Sequence, residues 1–135
     1  MSAYAEHVSV RTTKKEQAVD VTERIAAVAR KSRVRTGVCA VAVMHTTAGV
    51  YVNENADPDV LIDVLSALRR AVPDDADYRH AEGNAPAHIR SVLTGASTTI
   101  PIADGELALG TWQGIFLAEF DGPRERTLLV TIVGD

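Results

Sequence analysis

The sequence predicts an α+β domain that occupies residues 1–135 and contains about three helices. Helical periodicity is concentrated in the middle of the chain, whereas short β-rich runs separated by turn residues fill the last third. These late runs indicate antiparallel strands and argue against the alternating βαβ units of a nucleotide-binding fold. They are Thr98–Ile102, Glu106–Leu109, Ile115–Phe120 and Thr127–Val133.

The N-terminal part predicts one strand followed by one helix. In Tyr4–Arg11, apolar and polar residues alternate with the two-residue period of a half-buried strand. Asp20 and Glu23 have the spacing of a capping box, and the apolar residues that follow have helical spacing as far as Gly37. We therefore expect an amphipathic helix that starts after Asp20 and ends at Gly37.

Two strands separated by a polar interruption come next. The continuous apolar run Val38–Met44 predicts a buried strand, and Gly49–Val52 predicts a short second one. His45 follows directly after the first of these strands. Its imidazole is therefore expected at a strand end.

Two further helices are marked by prolines and glycine. The segment Asp57–Pro73 begins with an acceptor side chain followed by a proline in the first turn, and it ends at a second proline. The segment Pro86–Gly95 predicts a shorter helix that holds His88 in its first turn. The apolar residues that this short helix is expected to bury are Ile89, Val92 and Leu93.

Composition and charge exclude several classes of protein. The chain has 46% hydrophobic and 24% charged residues, which are ordinary values for a globular domain. Its net charge is −4 and its basic residues are scattered, so we expect no nucleic-acid partner. No apolar segment has the length of a membrane span or the pattern of a signal peptide, so we expect a cytoplasmic protein without a membrane partner. The single cysteine, Cys39, excludes an internal disulfide and is expected in the core.

Three of the four histidines lie at predicted junctions: His45 at a strand end, His80 in a loop and His88 at a helix start. Neutral imidazole is a common ligand of transition metals and transfers protons near neutral pH. Polar clusters that interrupt apolar runs accompany these histidines, which favours a shared cleft. The alternative is that each histidine only satisfies a local hydrogen bond, and the residue pattern alone leaves both readings open.

Four sequence blocks, in their order along the chain, resemble the YjbQ family, also called the secondary thiamine-phosphate synthase family. The blocks are His45–Asp57, Glu82–His88, Leu109–Ile115 and Asp121–Arg126. The resemblance implies a mixed, largely antiparallel β-sheet wrapped into a sandwich or barrel with helices packed on it. It also implies a homotrimer, a histidine-rich and often metal-occupied cleft near the subunit boundaries, and a weak thiamine-phosphate synthase activity.

On this resemblance, His45, His80 and His88 are expected to bind a divalent metal ion, and zinc is the expected ion. Three imidazoles leave one position of a tetrahedral zinc open to water or substrate. Glu54 or Glu82 is then the candidate catalytic base that accepts a proton from the bound water. Glu54 is equally well explained as a turn residue at the end of a strand.

The expected ligand is a small phosphorylated or heterocyclic metabolite. Hydroxyl, amide and guanidinium groups are the side chains that bind a phosphate, whereas the neighbouring Trp112 is expected to pack in the core. The candidate substrate-binding residues are Thr46, Thr47, Asn84, Thr111, Gln113, Arg124 and Arg126.

Two functions of different class follow from these expectations. The first is an enzyme acting on such a metabolite, either a thiamine-phosphate synthase-like transferase or a metal-dependent hydrolase. The second is a non-catalytic homotrimeric binding or scaffold protein, whose histidines hold a ligand or an ion without turnover. The residues alone do not separate these two functions.

Overall fold

The computed structural model describes every residue from Met1 to Asp135 and contains eight strands and three helices. The helices are α1 (Thr22–Ser32), α2 (Pro58–Ala71) and α3 (Ala85–Thr94). The strands are β1 (Ser2–Arg11), β2 (Gln17–Asp20), β3 (Gly37–Val43), β4 (Ala48–Glu54), β5 (Ser97–Ala103), β6 (Glu106–Leu107), β7 (Gln113–Glu119) and β8 (Glu125–Gly134). This arrangement confirms the predicted α+β class with three helices.

The strands form two sheets in which every pairing is antiparallel, so the sheet is not mixed. The five-stranded sheet has the order β1-β8-β3-β5-β6, and the three-stranded sheet has the order β2-β7-β4. In the larger sheet, Val41 of β3 lies opposite Val130 of β8. In the smaller sheet, Leu117 of the central strand β7 lies opposite Val19 on one side and Val50 on the other.

The main hydrophobic core lies between the two sheets. It contains Leu128 and Ile132 from β8, Ile115 and Leu117 from β7, and Ile25 from α1, all of them fully buried. Alternate side chains of a strand point to opposite faces of the sheet, so the four residues from β7 and β8 belong to the inward-facing sides of their strands. Burial of this apolar surface is the main source of stability of the fold.

β7 is buried on both of its faces. Ala118 and Phe120, on the side away from the main core, form a second cluster with Ala87 of α3, and Leu65 and Leu68 of α2 pack against it. The order of layers is therefore the five-stranded sheet, the main core, the three-stranded sheet and an outer layer of α2 and α3. None of the three helices has both the length and the apolar character needed to cross a membrane.

The predicted start of the second helix is confirmed, and so is the burial of the cysteine. The Asp57 side chain accepts a hydrogen bond from the Asp59 amide at 2.9 Å, and Pro58 occupies the first turn of α2. Cys39 is completely buried, and burial raises the pKa of its thiol to about 11. The thiol is therefore protonated and unreactive at neutral pH.

The bounds of α1 differ from the prediction. Asp20 accepts a hydrogen bond from the Thr22 amide at 2.9 Å, but no side chain caps the helix, so the predicted capping box does not form. The helix ends at Ser32, and Arg33 takes the left-handed conformation with φ of 61°. Gly37 instead begins β3, where a Cβ atom would lie 2.1 Å from a β8 carbonyl oxygen. The glycine is thus required by close strand packing and not by a helix end.

α3 buries a different face from the one predicted. Ile89, Val92 and Leu93 are 38%, 81% and 60% exposed, so the prediction that they are buried is wrong. The end of the helix lies so close to β4 that a Cβ atom on Gly49 would be 2.9 Å from the Gly95 carbonyl oxygen. The face that packs on the sheet consists mostly of small residues: Ala85, Pro86, Ala87, Arg90 and Ser91.

Arg90 is the charged member of that buried face and ties α3 to two other segments. It is 2% exposed, and it donates to Glu16 Oε1 at 2.7 Å. It also donates to the Val72 carbonyl oxygen at 2.6 Å and to Asp74 Oδ1 at 3.1 Å. Arg69 of α2 donates to the other oxygen of Glu16 at 2.9 Å. These bonds fix α3 against the end of α2 and the loop that follows it.

We expect Arg90→Ala to lower the free energy of unfolding by about 2–3 kcal/mol, because Glu16 and the Val72 carbonyl lose a buried donor while Arg69 still pairs with Glu16. Urea unfolding measures this change. The control is Arg70→Ala. Arg70 is an exposed arginine of α2 that bonds only Ser66, so we expect its loss to change the free energy of unfolding by no more than about 0.5 kcal/mol. Equal losses in the two variants would contradict the role assigned to Arg90.

Candidate functional site

A cleft of about 480 Å³ lies between the loop that joins β3 to β4 and the outer side of α3. We call it the His45–His88 cleft, because each wall contributes one histidine. Thr46 adds a hydroxyl to the loop wall, whereas the hydroxyl of Ser91 on the helix donates to the Ala87 carbonyl oxygen at 2.9 Å. The complete lining is His45, Thr46, Ala48, His88, Ser91, Val92 and Ala96.

His45 is held by a hydrogen bond to the backbone. The Thr127 amide donates to its Nε2 at 2.8 Å, so Nε2 carries no proton. Burial lowers the pKa of His45, the charge of Arg126 lowers it further, Glu119 opposes this effect and Arg124 adds to it. The ring is therefore neutral near pH 7, with its proton on Nδ1.

His88 and His80 are brought together from α3 and the preceding loop. Their ring centroids are 5.0 Å apart and their planes are nearly perpendicular at 79°. The exposed His80 borders a neighbouring hollow of about 210 Å³ and does not line the His45–His88 cleft. Its Nε2 lies 3.7 Å from an oxygen of Glu82, whose side chain is 75% exposed.

A comparison with zinc geometry separates the three histidines. Two imidazoles on one zinc ion, with Zn–N bonds of about 2.0–2.1 Å, have ring centroids roughly 5 Å apart. The spacing of His80 and His88 fits this value. His45 does not fit, because the lone pair of its Nε2 already accepts the Thr127 amide. No group of three or more His, Cys, Asp or Glu side chains in this chain is placed to hold a metal ion.

Asp121, directly before the turn that leads into β8, connects two of the predicted ligand-binding residues. Asn84 donates to its Oδ2 at 3.1 Å, which ties the start of α3 to this turn. Arg124 donates to its carbonyl oxygen at 2.9 Å and to its Oδ2 at 3.2 Å. Neither Asn84 nor Arg124 lines the His45–His88 cleft. Both side chains bond Asp121 instead, and the side-chain Oδ1 of Asn84 is buried with no partner.

Glu119 and Arg126 form a completely buried ion pair beside the cleft. They are 0% and 1% exposed, and Arg126 Nε donates to the two carboxylate oxygens at 2.9 and 3.1 Å. Its Nη2 also bonds the carboxylate, and it donates to Thr47 Oγ1 at 2.9 Å and to the Thr47 carbonyl oxygen at 3.2 Å. The guanidinium of Arg126 thus holds the loop that carries His45 through its Nε and Nη2 donors.

The carboxylate of Glu119 is ionised although it is buried. Burial alone raises the pKa of Glu119, but hydrogen bonds from Arg126, from Thr12 and from the Asp121 amide lower it by more. Thr12 Oγ1 lies 2.7 Å from Glu119 Oε1, and the Asp121 amide nitrogen lies 3.1 Å from Oε2. The pKa is therefore below the usual range of a glutamate, and the pair is charged at neutral pH.

The remaining predicted site residues lie elsewhere. Glu54 borders a separate hollow of about 190 Å³. Thr111 and Gln113 lie at the start of β7, where the Gln113 side chain accepts the Gly110 amide at 2.7 Å. Neither borders the His45–His88 cleft. Trp112 is 64% exposed, so the prediction that it packs in the core is wrong.

Sequence reasoning missed Glu119 and Ser91. Glu119 falls within the predicted strand Ile115–Phe120, where an acidic residue in an apolar run needs a buried cation as partner. Arg126, a few residues further along the chain, was the available signal. Ser91 carried no signal, because its position on the cleft depends on which face α3 turns towards β4.

The chain was compared with known proteins. A family model described as UPF0047 protein YjbQ-like matches residues 6–135. A UPF0047 protein of Methanocaldococcus jannaschii is 49% identical over 126 residues, which cover 93% of this chain and 91% of that protein. The UPF0047 protein YugU of Bacillus subtilis is 41% identical over 128 residues, which cover 94% of this chain and 97% of that protein.

Solved structures show the same fold. A YbjQ-like protein of unknown function from Sulfolobus solfataricus superposes with a TM-score of 0.96 at 33% identity, covering 99% of both chains. An uncharacterised conserved protein of the YjbQ/UPF0047 family from Clostridium acetobutylicum superposes with a TM-score of 0.93 at 45% identity, covering 95% of this chain and 99% of that one. These similarities extend over nearly the whole molecule, including both walls of the cleft.

We expect Glu119→Gln to lower the free energy of unfolding by about 3–5 kcal/mol at neutral pH, because it leaves the charge of Arg126 buried without a counter-charge. The folded-state pKa of Glu119 is lowered. Its contribution to stability is therefore fully present above the ordinary glutamate pKa and is lost as the pH falls through the folded-state value. The difference between wild type and variant, measured by urea unfolding, should shrink as the solution is acidified.

The matched control is Glu125→Gln. Glu125 pairs with Arg11 at the surface at 3.6 Å, so its loss should change the free energy of unfolding by no more than about 1 kcal/mol. If the difference between wild type and Glu119→Gln stayed constant down to strongly acidic pH, Glu119 would not be ionised in the folded protein.

Proposed function

This chain belongs to the UPF0047 YjbQ-like family, and from the geometry of its His45–His88 cleft we propose that it binds a small phosphate-bearing metabolite there. One observation carries the proposal. Two histidines and one free hydroxyl from separate elements face one open cleft: His45 and Thr46 from the loop after β3, and His88 from α3, where the Ser91 hydroxyl donates to the Ala87 carbonyl oxygen. N–H and O–H groups that converge in this way are the donors that bind the oxygens of a phosphate.

Size and charge support the same class of ligand. A volume of about 480 Å³ is within the range of clefts that take small metabolites. Burial lowers the pKa of His45 most; among the charges, Arg126 lowers it by more than Glu119 raises it and Arg124 adds to the lowering, so the net potential at the loop wall is positive. A positive potential at that wall favours an anionic ligand over a cationic one. Within this class we propose thiamine phosphate on the basis of the family resemblance, because this molecule carries both a phosphate and a heterocycle.

We also propose that His88 and His80 bind a divalent ion, and that this ion is zinc. The ring spacing of 5.0 Å supports this pair, and the Glu82 carboxylate next to His80 is the group that would accept a proton. Bound zinc would supply a Lewis acid and lower the pKa of a coordinated water. His88 borders the cleft, so its ring orients the ligand at the helix wall whether or not the ion is bound.

Assembly into a homotrimer in the cytoplasm completes the proposal. The outer face of α3 supports assembly, because Val92 and Leu93 are 81% and 60% exposed and Ile89 is 38% exposed. Adjacent exposed apolar residues on one helix are typical of a protein interface. Val92 also lines the His45–His88 cleft, so a second copy on this face would narrow the cleft and exclude water.

We expect His88→Ala to weaken the binding of inorganic phosphate by about tenfold or more, since a hydrogen bond to a charged ligand is lost, and to abolish zinc binding. Isothermal titration with phosphate and metal analysis of the purified protein measure the two effects. His7→Ala is the matched control, because His7 is exposed on β1 and does not line the cleft.

Phosphate binding that is equal in wild type, His88→Ala and His7→Ala would contradict the proposed ligand site. Light scattering on the same samples measures the oligomeric state and so tests the non-catalytic scaffold function. The exposed apolar face of α3 is the observation that favours this function. Loss of the oligomer in His88→Ala, but not in His7→Ala, would mean that His88 serves a subunit junction.

A further inference from the structure

His45 takes part in the backbone ladder between β3 and β8. The regular pairing ends with Val43 opposite Leu128. One step further, the Met44 amide donates to the Thr127 carbonyl oxygen at 3.1 Å. In an antiparallel pair the Thr127 amide would return this bond to the carbonyl of Met44. It donates instead to Nε2 of the His45 ring at 2.8 Å.

Because the ring nitrogen replaces a backbone carbonyl as the acceptor, both the position and the protonation of the His45 ring are fixed. A half-buried amide that loses its acceptor is costly, so rotation of His45 away from Thr127 is disfavoured. A neutral imidazole has one acceptor nitrogen and one N–H donor. Since Nε2 accepts, Nδ1 carries the proton.

The donor at Nδ1 faces solvent. The His45 Nδ1 atom makes no hydrogen bond within the protein, and it is not one of the two buried side-chain polar atoms without a partner, which are Asn84 Oδ1 and Arg90 Nε. It is therefore accessible, and the solvent space that His45 borders is the His45–His88 cleft. The adjacent Thr46 is exposed and adds a hydroxyl to the same wall.

We propose that His45 is a fixed N–H donor for an oxyanion and not a ligand of the metal ion. This inference rests on the proposed function and divides its cleft into two parts. The loop wall, with His45 Nδ1–H and the Thr46 hydroxyl, binds phosphate oxygens. The helix side, with His88 and the neighbouring His80, is the part that can take a cation through one ring nitrogen of each, and the second ring nitrogen of His88 stays available to the ligand. Metal ligation by His45 would need a lone pair, which this tautomer presents only to the Thr127 amide.

The charges around His45 agree with this assignment. Burial lowers the pKa of His45 most, the charge of Arg126 lowers it by more than Glu119 raises it, and Arg124 adds to the lowering, so the net field at the ring is positive. A positive field of this kind opposes a second cation at the ring and favours an anion. The donor thus stays an N–H of neutral imidazole throughout the neutral pH range.

Nitrogen NMR of protein labelled with ¹⁵N-histidine tests the inference directly, since the chain has four histidines and His7 serves as the internal reference. We expect the Nδ1–H tautomer for His45. Added zinc should change the signals of His88 and His80 and leave His45 unchanged, whereas inorganic phosphate should shift Nδ1 of His45. An Nε2–H tautomer, or a zinc-dependent change at His45, would overturn the inference.

Two variants extend the test to affinity. His45→Ala should weaken phosphate binding about tenfold or more and leave the zinc content per chain unchanged. In His45→Gln the amide oxygen can accept from Thr127 while the amide nitrogen donates, so we expect phosphate binding close to wild type. This variant also serves if His45→Ala fails to fold. Loss of zinc in His45→Gln overturns the inference alone, whereas a wild-type protein that binds no phosphate overturns the proposed function as well.

Discussion

The buried ion pair of Glu119 and Arg126 is the interaction on which the site depends. Two charges without exposure to solvent are tolerated only when each is neutralised and hydrogen-bonded. Here the carboxylate accepts from Arg126, from Thr12 and from the Asp121 amide, and the guanidinium also donates to Thr47. The pair therefore joins β7 and β8 to the loop after β3. It fixes that loop through the bond to Thr47, while the amide of Thr127, the residue after Arg126, donates to the ring of His45.

The layered packing explains why the cleft lies where it does. β7 is buried by the main core on one face and by α2 and α3 on the other, so this central strand has no face open to a ligand. α3 packs on β4 through small residues and leaves its larger apolar side chains outside. The space between this helix and the loop after β3 is thus bounded by rigid elements on both sides. Such a space can hold donors at constant distance, which binding of a small anion requires.

The sequence was sufficient for features that local physical chemistry decides. The α+β class, the strands β3 and β8, and the capped start of α2 follow from periodicity and from the behaviour of Asp57 and Pro58. The sequence was insufficient for features that depend on contacts with residues far away along the chain. The buried face of α3 depends on the close approach of Gly49, and the strand β2 exists only as a partner of β7. The pairing of Glu119 with Arg126 likewise depends on the fold, although each charge was visible.

The same division applies to the histidines. Residue type and sequence blocks placed His45 and His88 on one cleft, but three histidines of one type suggested one common role. The structure gives them different hydrogen-bonding states, because the Thr127 amide occupies Nε2 of His45 while His88 and His80 contact each other. A backbone amide is invisible to any motif, yet it decides which nitrogen of an imidazole has a lone pair to offer. For a site built from histidines, the protein groups that bind the ring nitrogens therefore determine the chemistry as much as the histidines do.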